Sequence, residues 1–156
     1  MSHHVITAAE MLRRAEVHGS DGELTENRCW DLLEAAVFGR LAVTGPNGPM
    51  IYPINFTVDG TRIYFRTPPG GKLTALTEHP EVALEIDVVD DDGRAAMSVV
   101  ATGTAQQLDS PGEIDEAESL PLHPWTATTK LRWVRITTSN VTGRVFRLGS
   151  ERIPYV

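Results

Sequence analysis

Cysteine is almost absent from this sequence, and the few histidines do not form a metal-binding pattern in its place. The chain has one cysteine, Cys29, and five histidines without zinc-type spacing. A single cysteine excludes a disulfide within the chain and any metal site built on several thiolates. Cys29 falls inside a helical pattern, where a lone cysteine is typically a small buried residue. We therefore predict no metal site.

Positive charge and long apolar runs are also scarce. The formal net charge is −7 over 156 residues, which favours neither nucleic acid nor an anionic membrane as a partner. No stretch resembles a transmembrane span or the apolar core of a signal peptide. A hydrophobic content of 41% and a charged content of 22% are ordinary for a globular protein. We expect a cytoplasmic protein with no nucleic-acid and no membrane partner.

The chain contains no internal repeat and no low-complexity segment, so one folded domain is expected. Residues 1–24 form a polar arm with one short helical pattern, and residues 25–156 form the domain. The arm is either loose or packs on a partner subunit. Thr25 is a good N-cap for a helix of about fourteen residues that would end at Gly39.

The most informative stretch runs from Met50 to Leu76. It contains two strand patterns, Met50–Val58 and Arg62–Thr67, joined by the hairpin signal Asp59-Gly60. Prolines and glycines then end the second strand, and Lys72 begins a helix. Free backbone N–H groups, the positive helix terminus and the lysine charge could all point at one phosphate. On these local features alone, a surface loop with a solvated lysine is the alternative.

Further strand patterns predict a mainly β fold. They lie at Gly39–Thr44, Val82–Val88, Ala96–Leu108 and Lys130–Arg147. About six mostly antiparallel strands, with two or three helices between them, indicate a sheet that closes on itself. Gly103 predicts a bulge, a bend or a close approach. The pair Thr142-Gly143 predicts a kink or bulge in the last strand.

Several separated motifs, taken in order, resemble one family. They are GRLAV, YPINF, IYFRTPPGGKL, EVALEID, SVVATGTA and WVRITTSNVTGRVF, and they span about Glu26 to Leu148. Their order and spacing resemble the pyridoxamine 5′-phosphate oxidase-like proteins, which are FMN-binding split β-barrels. The resemblance implies a homodimer with two flavin sites at the subunit interface. The cofactor it implies is FMN, with the deazaflavin coenzyme F420 as the alternative.

The resemblance also assigns cofactor-binding positions to several parts of the chain. The strand along the isoalloxazine ring matches Pro53, Ile54, Asn55 and Phe56. The strand end near the ribityl chain and phosphate matches Phe65, Arg66 and Thr67, and the phosphate-binding step matches Gly71 and Lys72. The second strand near the ring matches Ser98, and the aromatic residue from the other subunit matches Trp125. The two phenylalanines could instead be core residues, and Trp125 a packing anchor.

Two positions depart from the pattern of the relatives. Ala96-Met97 stands where relatives often carry Gly-Trp, so a large aromatic side chain near the ring is missing. Gly71 stands where they often carry serine, so a hydroxyl donor is replaced by a bare N–H group. Both departures bear on the affinity for the cofactor and on its identity.

If a flavin binds, the chemistry belongs to the cofactor. The prediction is an FMN-binding oxidoreductase that transfers hydride or electrons to a small organic substrate. The alternatives are an F420-dependent reductase and a non-enzymatic flavin-binding or carrier dimer. No residue stands out as a catalytic acid or base, although His123, close to Trp125, is a better candidate than His79. No histidine has a context that predicts haem.

Overall fold

The computed structural model describes residues 6–15, 22–122 and 131–147. The predicted positions Trp125 and His123 lie outside these residues. The described helices are α1 (Ala8–Ala15), α2 (Glu26–Ala35), α3 (Gly71–Glu78) and α4 (Pro111–Glu118). The described strands are β1 (Phe38–Gly45), β2 (Gly48–Asn55), β3 (Thr57–Asp59), β4 (Arg62–Thr67), β5 (Glu81–Val89), β6 (Ala95–Gln107) and β7 (Arg132–Arg147).

The strands form one antiparallel sheet in the order β2-β1-β5-β6-β7-β4-β3. β2 and β3 are consecutive in the chain but lie at opposite ends of this order. Because β2 also contacts β4, the sheet curls into a half-barrel. The predicted mainly β, antiparallel split-barrel architecture is confirmed, with seven strands in the described part of the chain.

The predicted strand Met50–Val58 is wrong as a single element, because the chain leaves it at Phe56. Asn55 ends β2, and the backbone N–H of Phe56 donates a hydrogen bond to the carbonyl of Val37 at 3.3 Å. The chain then crosses to the other end of the sheet. The hairpin prediction is confirmed, since β3 and β4 pair around Gly60, which has a φ of 63°.

The core lies inside the curl of the sheet. Alternate residues of each strand point inward, as the two-residue period of a pleated strand requires. Phe56 and Phe65 belong to this core, with 2% and 0% of their surface exposed. α1 contributes Met11 and Leu12, and α2 contributes Cys29, Leu32 and Leu33. A second, smaller cluster of Tyr64, Leu108, Ala117, Leu122 and Trp133 joins α4 to β4 and β7.

α2 is shorter than the sequence suggests. Its N-cap is confirmed, because the Arg28 N–H donates to Thr25 Oγ1 at 3.3 Å. The predicted end at Gly39 is wrong, since the helix ends at Ala35 and Gly39 already belongs to β1. A Cβ atom on Gly39 would lie 2.8 Å from the Glu85 carbonyl oxygen. The glycine is therefore needed for strand packing rather than for ending the helix.

β6 and β7 pair over almost their whole length, with one irregularity. The register shifts between Thr102 and Gly103, so that Ser139 on β7 is left over. A Cβ atom on Gly103 would lie 2.3 Å from the Thr137 oxygen, which confirms the predicted close approach. The bulge or kink predicted at Thr142-Gly143 is wrong, because the pairing is regular there. Gly143 instead admits α2, since its Cβ would lie 2.8 Å from Cys29 Sγ.

Candidate functional site

The beginning of α3 exposes backbone donors. Gly70 is the N-cap and offers no side-chain cap, and the first intrahelical bond runs from the Thr74 N–H to the Gly70 oxygen at 3.0 Å. The N–H groups before Thr74 in this turn have no intrahelical partner. A Cβ atom on Gly70 or Gly71 would meet nothing within 4 Å. The positive end of the helix is thus open to a ligand.

Lys72 lies in this first turn and is half-buried. Its Nζ is 5.0 Å from the centre of the Tyr52 ring on β2. Among the residues that the structure describes, no carboxylate pairs with it. Burial lowers the pKa of Lys72, because the charged form has lost part of its hydration. An anion here would supply the counter-charge that the protein does not provide, so a phosphate group fits this position.

The end of β4 divides the predicted residues between two faces. Phe65 and Thr67 point into the core, and Thr67 is 1% exposed. The Thr67 hydroxyl donates to the carbonyl of Pro68 at 3.3 Å. Arg66 projects from the opposite face, as alternation along a strand requires. Arg66 and Thr67 are therefore neighbours in sequence that do not share a surface.

Arg66 is held by α4 and β7. Its Cζ lies 4.8 Å from the centre of the Trp133 ring, and its Nη1 lies 3.7 Å from Glu118 Oε1. The same carboxylate oxygen accepts a hydrogen bond from Trp133 Nε1 at 2.8 Å. The Arg66 Nε is buried and has no hydrogen-bond partner among the described residues. Arg66 is thus held by the Trp133 ring and the Glu118 charge, and its buried Nε donor is left unused by the described residues.

The predicted ring-contacting residues lie at the end of edge strand β2. Pro53 is exposed, whereas Ile54 and Phe56 are buried. The Asn55 Nδ2 donates to the Val37 carbonyl at 3.3 Å, which ties this segment to the beginning of β1. β2 stands at one end of the strand order, so no further strand of this sheet covers its outer side in the described part of the chain.

Ser98 lies far from Arg66 within one chain. Ser98 pairs with Arg144 on β7, whereas Arg66 pairs with Trp133 on the same strand. Eleven residues separate these two positions of β7, which is roughly 35 Å along an extended strand. The structure therefore does not bring Ser98 and Arg66 together in one protomer.

The outer face of the sheet carries small side chains at its centre. Ala42, Ala83 and Thr102 lie side by side on β1, β5 and β6, and they line a shallow cleft. Beside them, Arg40 bonds Asp87 at 2.8 Å and Glu85 at 3.3 Å. Such a surface permits close approach of another molecule.

Sequence reasoning missed the neighbours of the two predicted cations. Tyr52 lies under Lys72, and Trp133 and Glu118 hold Arg66. Each contact joins elements distant in sequence, so no local spacing could have revealed it. The only available signal was the presence of aromatic residues in strands next to the predicted site.

Two further properties concern the described residues alone. Within 6–15, 22–122 and 131–147, no three His, Cys, Asp or Glu side chains are grouped so that they could hold a metal ion. In the same ranges, no helix combines the length and the apolar character that crossing a membrane requires.

Comparison with known proteins places these features in context. The family model described as pyridoxamine 5′-phosphate oxidase matches residues 25–145. A candidate pyridoxamine 5′-phosphate oxidase of Corynebacterium glutamicum has a similar structure, with a TM-score of 0.70 and 33% identity over 85% of this chain and 100% of that one. An FAD-binding protein of Mycobacterium smegmatis has a TM-score of 0.69 and 33% identity over 81% and 99%. A functionally uncharacterised protein of Mycobacterium tuberculosis is 39% identical over 94 residues, which is 60% of this chain and 84% of that protein.

Proposed function

This chain belongs to the pyridoxamine 5′-phosphate oxidase-like family, and we propose that it binds FMN and transfers hydride or electrons to a small organic substrate. The similarity to an FAD-binding protein at 33% identity supports a flavin as the cofactor. FMN is preferred here because the site offers one concentrated anion-binding point.

The observation that carries this proposal is the state of Lys72. It is a half-buried cation without an acidic partner among the described residues, and it lies beside the open N-terminus of α3. Exposed backbone donors, a helix terminus and a lysine charge form a common way of binding phosphate in proteins. The backbone N–H of Gly71 and the ammonium of Lys72 would therefore hold the phosphate of the cofactor.

The remaining residues would orient the ring. A bound flavin supplies the redox chemistry, because its ring system accepts and returns the electrons. The outer side of edge strand β2 near Pro53 and Ile54 would contact the ring edge, and hydrogen bonds between backbone and ring tune a flavin's potential. Among the described residues no side chain is placed as an obvious proton donor, so we assign no catalytic acid or base.

We also propose that the working form is a homodimer. Ser98 on β6 and Arg66 on β4 pair with Arg144 and Trp133, which lie near opposite ends of β7, so one flavin can reach both positions only if they come from different chains. The small side chains at the centre of the outer sheet face, Ala42, Ala83 and Thr102, would allow a second copy to approach closely. Measurement of the molar mass in solution, with and without FMN, tests this assembly.

Two rival functions follow from the same site. The coenzyme F420 also carries a phosphate and would use Lys72 in the same way. A carrier dimer would bind the flavin without turnover. Titration with FMN, FAD and F420 separates the cofactors, and reduction of the bound flavin by NADPH or NADH, followed by its reoxidation, separates an enzyme from a carrier.

The decisive experiment is a comparison of FMN and riboflavin binding to the wild type and Lys72→Met. Losing a hydrogen bond to a charged group typically costs about 1.5–3 kcal/mol, so FMN should bind roughly tenfold to a hundredfold more weakly while riboflavin binding is unchanged. Arg62→Met is the matched control, since it removes one exposed positive charge outside the site. Equal FMN affinity in all three proteins would refute the phosphate assignment.

A further inference from the structure

Lys72 and Tyr52 form a contact between two different elements of the fold. Tyr52 belongs to edge strand β2, and Lys72 belongs to the first turn of α3. The ammonium lies 5.0 Å from the centre of the ring. Tyr52 shares its side of β2 with the buried Ile54 and packs against the core. The ring is thus a fixed platform, while the lysine stem is intrinsically flexible.

Packing against the core holds this platform in position, and the hydroxyl adds only a weak contact. The Tyr52 hydroxyl donates a weak hydrogen bond to Met50 Sδ at 3.6 Å. The ring face carries negative electrostatic potential, so it attracts the ammonium without neutralising it. A carboxylate in the same place would neutralise the lysine and repel a phosphate. An aromatic ring therefore suits a cation that must remain available to an anion.

We propose that Tyr52 is a positioning residue that holds the Lys72 ammonium at the anion site and so gives the site its preference for phosphorylated over unphosphorylated flavin. This inference rests on the proposed function. It adds a residue of β2 to the phosphate site, although the phosphate-binding groups themselves lie on α3. The hydroxyl is dispensable in this arrangement, because the ring face makes the contact.

Binding of FMN and riboflavin to the wild type, Tyr52→Phe and Tyr52→Leu tests the inference. Tyr52→Phe should keep the preference for FMN, and Tyr52→Leu should reduce the ratio of the two affinities by about three- to tenfold. Riboflavin binding serves as the internal control, since a general disturbance of the site would weaken both ligands equally. An unchanged or increased ratio in Tyr52→Leu would overturn the inference, because the ring would then be irrelevant to the lysine or would hold it away from the phosphate.

A second measurement does not depend on flavin. The chain has only two lysines, Lys72 and Lys130, so selective ¹³C labelling of lysine gives two sets of signals, which Lys72→Met assigns. The ring should shift the ε-methylene protons of Lys72 upfield in the wild type and in Tyr52→Phe but not in Tyr52→Leu. Absence of that shift in the wild type would overturn the inference.

The two experiments separate failure of the inference from failure of the proposed function. If the wild type retains no flavin, the proposed function fails, and inorganic phosphate replaces FMN as the probe. The Lys72 signal should then respond to phosphate in the wild type and Tyr52→Phe at several-fold lower concentration than in Tyr52→Leu. Equal responses in the three proteins would overturn the role of Tyr52.

Discussion

Replacing Gly103 with alanine tests the tightest backbone approach in the sheet. A Cβ atom there would lie 2.3 Å from the Thr137 oxygen and 2.9 Å from both Thr137 C and Thr138 Cα. All three are backbone atoms, so no side chain can rotate away and the strands must separate. Overpacking typically lowers the free energy of unfolding by about 1–3 kcal/mol. We expect Gly103→Ala to lower it by about 3 kcal/mol, because the obstacle is rigid backbone.

Urea unfolding followed by the fluorescence of the three tryptophans measures this change. With a slope of about 1–3 kcal/mol per molar urea, the midpoint should fall by roughly 1–3 M. Gly112→Ala is the matched control, because the nearest atom to its added Cβ is a side-chain oxygen at 3.9 Å. That substitution in α4 should be neutral or stabilising by up to about 1 kcal/mol. All proteins are compared at one concentration, since association links stability to concentration.

The reasoning would be refuted if Gly103→Ala unfolded within about 0.5 kcal/mol of the wild type, the range of an ordinary surface substitution. The register shift at Ser139 would then not depend on the glycine at position 103. A loss equal in Gly103→Ala and Gly112→Ala would also contradict it, because the added methyl group meets backbone atoms at Gly103 and no atom closer than 3.9 Å at Gly112.

The remaining predictions concern titratable and charged groups. Cys29 is fully buried, and burial raises the pKa of its thiol. A thiol reagent should therefore modify it at least about a hundredfold faster in urea than in native buffer. Rapid modification of the native protein would contradict this packing. Burial lowers the pKa of Lys72, so the unfolded chain binds this proton more tightly than the folded chain does. The stability of the ligand-free wild type relative to Lys72→Met should therefore rise with pH between that lowered pKa and the ordinary lysine value of 10.5, and a constant difference would contradict it. Glu118 pairs with Arg66, so if Arg66 binds phosphate, Glu118→Gln should strengthen FMN binding by about two- to fivefold. The same substitution should change the free energy of unfolding by less than about 1 kcal/mol. Unchanged FMN affinity would argue against that role of Arg66.

Features set by neighbouring residues were predictable from the sequence. Asp59-Gly60 makes a turn because glycine tolerates positive φ, and Thr25 caps α2 because its hydroxyl reaches the third residue of the helix. Gly103 was recognised because a glycine inside a strand pattern usually marks a close approach. In each case the signal that could be read from the sequence lies in the residue itself or within one turn of it.

Features set by distant residues were not predictable in this way. The break at Phe56 depends on where β1 and β4 lie in the finished sheet, and the need for glycine at position 39 arises because the Glu85 carbonyl approaches it there. The same holds for the candidate site. Lys72 could be selected from its glycines and helix start, but the Tyr52 ring beneath it comes from another element.

The crossing at Phe56 has a consequence for the order in which the molecule assembles. β1–β2 and β3–β4 are local hairpins, whereas β1–β5 and β4–β7 join residues as distant as Arg40 and Glu85, or Arg66 and Trp133. Closing such large loops is entropically costly and slow, so the two hairpins should form before the sheet is complete. The path of the chain around Phe56 is fixed only when both hairpins have docked. A cofactor that contacts this segment would therefore bind only after the half-barrel has closed. It would stabilise the finished fold and would not direct its folding.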